Sequence, residues 1–331
     1  MTELMRRTFL AGSALAAAAS TLTGLAPGRS GSPAEAAALP AERQAAGVYR
    51  YKVGEYELTA LHDGTWYRPV DDKFVGNVPL PAVQKVMTDS FLPTDKLPIP
   101  FTTLLVNTGR QLVLLDTGTA GQLAPTAGTM MRNLVAAGVK PEAIDMIVIS
   151  HFHPDHINGI KTKDDDIVFP NAEILVPEPE WAYWMDDAKM GTAPDAVKGV
   201  FRNVRRVFNS IAKNVRRFEP GREVAPGITS IPAYGHTPGH TAFAVASGGQ
   251  SMLVLSDTTN HPWLFVRNPE WQVTFDMDGN MAVDNRKHLL DRAAADKMLV
   301  QGYHFPFPAS GHIQKTASGY DFVPIMWDVA L

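Results

Sequence analysis

Between Ser150 and Ile157 the chain reads His151-Phe152-His153-Pro154-Asp155-His156, three imidazoles and a carboxylate inside six residues. The 331-residue sequence holds only ten histidines, so this concentration is not an effect of composition. An apolar run over 146–149 delivers the group, and in extended chain residues i and i+2 point to the same side. His151 and His153 can therefore hold one cation together. Pro154 stops the strand, and the turn it forces lets Asp155 and His156 face a second, neighbouring cation. The bland alternative, a set of hydrogen-bonded loop histidines, needs no such spacing. Three later residues repeat the context: His236 in Gly235-His236-Thr237-Pro238-Gly239-His240, Asp257 after residues 251–256, and His304 after 298–303. Each follows a short apolar strand, which sets them all on loops along one edge of a sheet pair. Every donor is N or O, a set that suits zinc and admits manganese, cobalt or iron. Cysteine is absent, which removes disulfides, thiol nucleophiles, thiolate-held zinc and iron–sulfur clusters.

The elements that must position these residues are legible from periodicity and turn signals. Strands are expected at 48–53 and 56–62 around Gly54-Glu55, and at 101–107 and 111–116 around Thr108-Gly109, two hairpins separated by an irregular Pro-rich stretch. A helix is expected over 129–137, buried strands at 146–149 and 173–176, and one long basic helix over 196–218. Strands at 228–232, 241–247 and 251–256, a helix at 283–295 and a last strand at 298–303 complete the pattern. Two similar halves of interleaved strands and helices favour one α/β domain with layered sheets.

The first 38 residues differ in composition. Arg6-Arg7-Thr8-Phe9-Leu10 precedes an Ala-rich apolar run, and small residues follow around Ala36, the layout of a cleavable export signal. The paired arginines resemble the twin-arginine signal of exported bacterial proteins. The expectation is a signal over 1–38, a hydrolase domain over 39–331 and a periplasmic or secreted protein. The formal net charge is −4, with 45% apolar and 19% charged residues. That composition buries a core and argues against nucleic acid as a partner. No stretch of the 39–331 region has the ~20 continuous apolar residues of a membrane span.

With these motifs in view, the sequence resembles the metallo-β-lactamase superfamily. The motifs that carry the resemblance are Leu115-Asp116-Thr117-Gly118, His151/His153/Asp155/His156, His236, Asp257 and His304. Within the superfamily it is similar to the branch of methyl parathion hydrolase and its lactonase relatives, through Thr59-Ala60-Leu61, Asp63-Gly64-Thr65, the 235–241 segment and Gly311-His312-Ile313. The resemblance implies an αβ/βα four-layer sandwich with two mixed β-sheets. It implies that His151, His153 and His236 bind one divalent metal, that Asp155, His156 and His304 bind the other, and that Asp257 bridges them. Asp116 would orient a ligand imidazole. Two divalent cations against Asp155, Asp257 and a bridging hydroxide leave net positive charge to polarise a carbonyl or phosphoryl oxygen. Asp155 and Asp257 are the catalytic carboxylates of this reading, with Asp155 relaying the hydroxide proton to the leaving group.

The remaining histidines divide. His240, behind Pro238 and Gly239, reads as an orienting or structural group rather than a ligand. His261, four residues past Asp257, is a candidate to face substrate, while His62, His288 and His312 have no partner pattern. The basic face of 196–218 reads as solvated. The resemblance places Leu123, Trp184 and Val200 at the substrate pocket. With one aromatic in three, that pocket suits a flat lactone ring better than a bulky phosphotriester. The leading expectation is a dinuclear zinc hydrolase of a small neutral lactone or carboxylic ester. Its rivals are a phosphotriesterase, a β-lactamase, a ribonuclease of the same fold and a binding module. A homodimer is compatible with all of them.

Overall fold

In the computed structural model, described here for residues 44–330, strands form two seven-stranded sheets. The expected signal over 1–38 lies outside the described residues. The first sheet runs in chain order: β1 (Val48–Val53), β2 (Tyr56–Pro69), β3 (Lys96–Asn107), β4 (Leu112–Leu115), β5 (Met146–Val148), β6 (Glu173–Pro177) and β7 (Val215–Phe218). The second contains β8 (Glu223–Ala225), β9 (Ile228–Pro232), β10 (Thr241–Ser247), β11 (Gln250–Ser256), β12 (Leu299–Gly302), β13 (Ser310–Lys315) and β14 (Tyr320–Pro324), in the reverse order β14 to β8. Both are mixed. β4 to β7 pair in parallel, as do β11 and β12, and the other neighbours pair antiparallel.

Among the described residues, seven α-helices accompany the sheets: α1 (Leu80–Asp89), α2 (Met130–Ala136), α3 (Pro154–Ile157), α4 (Glu178–Trp184), α5 (Asp187–Thr192), α6 (Asp195–Phe208) and α7 (Gly279–Ala295). Three cores separate four layers. Leu105, Leu114 and Ile147 on one face of the first sheet pack against Leu134 of α2 and Phe201, Val204 and Phe208 of α6. Leu104, Val113 and Val148 on its other face meet Phe243, Val245, Met252 and Val254 of the second sheet. Leu253, Leu255 and Val300 on the far face of the second sheet meet Leu289 and Leu290 of α7. β5 is apolar throughout because alternate residues enter different cores, as a strand covered on both faces requires. This is the four-layer sandwich expected from the sequence.

Several boundaries differ from the sequence reading, among them the start of α7, which lies at Gly279 and not at 283. The long helix expected over 196–218 ends at Phe208, and after a 3₁₀ turn the chain enters β7. Strand pairing wins there because β6 offers an unpaired hydrogen-bonding edge, and Arg216 and Arg217 find Glu173 and Glu178 beside it. β2 does not stop at His62: Asp63-Gly64 forms a bulge with Gly64 at φ 126, and pairing with β3 resumes beyond it. The Pro-rich stretch contains α1 and the first half of β3. Pro98 and Pro100 are tolerated in β3 because β4 pairs only with Leu104–Asn107, leaving the proline half an edge. The chain also continues past β12 into the β13–β14 hairpin.

Candidate metal centre

The parallel strands deliver the site, since β4, β5 and β11 end at the same edge. Asp116 follows β4, the His151–His156 segment follows β5, and Asp257 follows β11. Left-handed backbone at Asp116 (φ 60) and Ser256 (φ 47) turns the chain sharply at two of these strand ends, a conformation uncommon away from glycine. His236 sits in the loop between β9 and β10, and His304 follows β12. Gly235 adopts φ 117, and a Cβ there would lie 2.2 Å from the backbone nitrogen of Ala282, so the start of α7 approaches the loop as only glycine allows.

The donor atoms converge in two groups: His151, His153, His236 and Asp257, then Asp155, His156, Asp257 and His304, each with donor atoms within 4.8 Å of one another. Asp257 belongs to both. Its Oδ2 lies 2.9 Å from His304 Nε2 and 3.3 Å from His236 Nε2, while Oδ1 lies 3.3 Å from His156 Nε2. Nδ1 of His153 is 3.0 Å from Nε2 of both His151 and His236. Two buried atoms that face this centre, His156 Nε2 and Asp257 Oδ1, have no hydrogen-bond partner. A buried polar atom without a partner costs free energy, and a shared cation would satisfy both. The donor set therefore fits two divalent ions, each held by three donors of its own group and the shared carboxylate.

Four of the five imidazoles are fixed from behind. Asp116 Oδ2 lies 2.9 Å from His156 Nδ1 and also accepts from Ser150 Oγ, while Oδ1 accepts from Ser150 N. Asp276 Oδ1 lies 2.9 Å from His236 Nδ1, His304 Nδ1 donates to the Pro100 carbonyl at 3.0 Å, and Ser150 Oγ is 3.0 Å from His151 Nδ1. Such partners select the tautomer that leaves Nε2 free for a cation. His240 is not in either group. Its Nδ1 donates to the Ala233 carbonyl at 2.8 Å and its Nε2 accepts from the backbone nitrogen of Asp257 at 3.0 Å, so it supports that strand end.

Electrostatics separate the imidazoles by whether a carboxylate is in hydrogen-bonding contact with them. Burial, then the neighbouring imidazolium charges, holds His151 well below its ordinary value and His153 down to about 3. Burial also opposes the charged form of His236, but hydrogen bonds to Asp257 and Asp276 outweigh it and raise the group to about 9. Burial works against ionised Asp257 too, yet the facing His304 and His156 keep the carboxyl well below the usual range.

Above the donors opens a cavity of about 200 Å³, walled by Trp66, Ile99, Phe101, Leu123, Val200 and Phe275, with His153, Asp155, His236, Asp257 and His304 at its polar end. Leu123 and Val200 line this cavity. Trp184 does not: it is buried in the first core at 1% exposure, and its indole donates to Glu180 at 2.7 Å. His261 is also outside the wall, buried beside Trp263, with burial holding it down to about 3. Three aromatics, Trp66, Phe101 and Phe275, line the cavity in place of the one expected, so the argument from a wall poor in aromatics does not hold. Sequence reasoning also missed Asp276, Glu180 and Arg286. Only Arg286 left a signal: it occupies an inward slot in the stripe Ala282, Val283, Leu289, Leu290, Ala293.

The family model of the metallo-beta-lactamase superfamily matches residues 98–299. An N-acyl homoserine lactonase from a Bacillus species is 23% identical over 234 residues, spanning 65% of this chain and 84% of the relative. Among solved structures, the hydrolase AbOPH of the β-lactamase superfamily is similar at a TM-score of 0.81 and 27% identity, over 86% of this chain and 100% of its own. AidC, a dizinc quorum-quenching lactonase in complex with the product N-hexanoyl-L-homoserine, is similar at a TM-score of 0.81 and 26% identity, over 86% of this chain and 99% of its own.

Proposed function

The chain belongs to the metallo-β-lactamase superfamily, and from that footing we propose that it is a dinuclear metal-dependent hydrolase that opens a neutral lactone. The observation that carries the reading is the pair of His/Asp groups sharing Asp257 at the polar end of an apolar-walled cavity. His151, His153, His236 and Asp257 would hold one cation, and Asp155, His156, Asp257 and His304 the other. When bound, two divalent cations supply a hydroxide nucleophile at neutral pH and polarise the carbonyl oxygen. Zinc suits the donor set best.

The chain's own residues do the rest. Trp66, Ile99, Leu123 and Val200 exclude water from the apolar part of the substrate and turn its ester toward the polar end. Asp155, on the cavity wall, takes onto its carboxylate the proton that the attacking hydroxide carries to the carbonyl carbon. It returns that proton to the alkoxide released when the ring C–O bond breaks, giving a hydroxy acid. The lactone preference is supported by the acyl-homoserine product carried by AidC and by the lactonase relatives. A second reading, phosphotriester hydrolysis, is favoured by Trp66, Phe101 and Phe275, whose rings suit an aryl leaving group. Steady-state kinetics of the zinc-loaded protein on an acyl-homoserine lactone, dihydrocoumarin and methyl paraoxon decide between them. The lactone reading expects the highest kcat/KM on a lactone, and a higher value on the phosphotriester would overturn it.

A further inference from the structure

Arg286 lies on the inward stripe of α7 and is fully buried. A guanidinium out of water is costly unless its donors are met, and these are met by segments that belong to the metal centre. Its Nε donates to the Thr258 carbonyl at 2.9 Å, Nη1 to the carbonyls of Pro269 and Trp271 at 3.0 and 2.6 Å, and Nη2 to Asp276 Oδ2 at 3.1 Å. The other oxygen of Asp276 meets Nδ1 of His236. Thr258 directly follows Asp257, and the 269–276 segment brings Phe275 to the cavity wall. One cation thus ties together a ligand of the first group, the carboxylate shared by both groups, and the wall above them. An aliphatic residue would fill the stripe without the cost of a buried charge, so the charge has a local task.

We propose that Arg286 is a positioning residue for the metal centre, acting on His236 through Asp276 and on Asp257 through the Thr258 carbonyl. The proposal rests on the metal-binding reading above. Asp276 Oδ1 accepts a hydrogen bond from His236 Nδ1, which leaves Nε2 directed at the cation, and Arg286 holds the carboxylate in place through Oδ2. Lysine cannot replace it, because three donors on one nitrogen do not span acceptors set around a planar fork.

The test uses the full chain with Asp276→Asn, which keeps the side-chain shape, and Arg286→Lys. Two quantities are read: zinc retained against a competing chelator, and the rise in melting temperature on going from metal-stripped to zinc-loaded protein. We expect wild type to hold two zinc ions and each variant to bind at least one of them tenfold or more weakly, in the ~10–100-fold range for partners of metal-bound histidine. The metal-induced rise in melting temperature should shrink accordingly. A purely structural role would lower both melting temperatures equally and leave the chelator competition unchanged, which would overturn the proposal. If Arg286→Lys does not fold, Asp276→Asn decides by the same two readouts. Wild type that holds no zinc would instead overturn the functional reading, and this proposal with it.

Discussion

A carboxylate that serves two cations at once has no neutral substitute, and Asp257 is placed to do so: its Oδ2 faces His236 of one group and His304 of the other, and its Oδ1 faces His156. Asp257→Asn should therefore loosen both ions, and its cost in kcat/KM should exceed the ~10–100-fold that follows loss of an outer partner. Elemental analysis beside kinetics checks this, and retention of two tight ions would contradict it. His62 offers a test away from the centre. Burial lowers it from 6.5, partly opposed by a hydrogen bond to the Phe101 carbonyl, and its Nδ1 has no partner. A histidine depressed in the folded state binds fewer protons there than when unfolded. Its contribution is fully present above the unfolded value near 6.5 and is lost as pH falls toward the folded value. His62→Phe, which keeps a ring against Phe307, should reduce the loss of stability between pH 7.5 and 5 in denaturant titrations. The ligands were legible because short strand-end motifs bring them together locally. Asp276 and Glu180 were not, because each is a lone acid whose contacts with the ligand-bearing loops come from residues distant in sequence.

At the scale of elements, α4 acts as a brace between two ligand-bearing loops. Glu180 is fully buried. Its Oε2 accepts from the backbone nitrogen of Phe152 at 3.1 Å and from Trp184 at 2.7 Å, and its Oε1 accepts from Gly239 at 2.7 Å. Phe152 lies between His151 and His153, and Gly239 lies between His236 and His240, so one carboxylate holds the two loops in register. Glu180→Gln would aim an amide N–H at one of these donors. The unmet contact should cost about 1–3 kcal/mol, read as a lower urea midpoint at unchanged slope. An unchanged midpoint would remove the bracing role. The same contacts explain why Trp184 left the cavity: Glu180 one helical turn away draws the indole inward. Elements built on local periodicity, such as β1, β9 and β10, were legible to the residue. Those fixed by a distant neighbour were not, as β7 against β6 and the proline half of β3 against β2 demonstrate.

The molecule as a whole is two sheets whose common edge carries the centre, and the donors divide between them. His151, His153, Asp155 and His156 belong to the first sheet, while His236, Asp257 and His304 belong to the second. Across the contact between the sheets the chain supplies an apolar core, but at this edge it supplies imidazoles and carboxylates packed against one another. Without cations that edge keeps buried polar atoms such as His156 Nε2 and Asp257 Oδ1 without a partner, a cost that the apolar contact between the sheets does not carry. Ligands that bind only the folded state stabilise it by RT ln(1 + [L]/Kd), about 4 kcal/mol for one site at a thousandfold excess over Kd. Each of the two donor groups draws on both sheets, so stabilisation by bound metal should reach the global transition and not only a loop. Chelator-stripped protein is therefore expected to unfold at a clearly lower temperature than zinc-loaded protein. Restoring zinc should recover the midpoint, and restoring calcium, which prefers all-oxygen sites, should not. Calorimetry on the three samples tests this. Equal midpoints for stripped and loaded protein would mean that the two sheets are held at this edge by the protein alone.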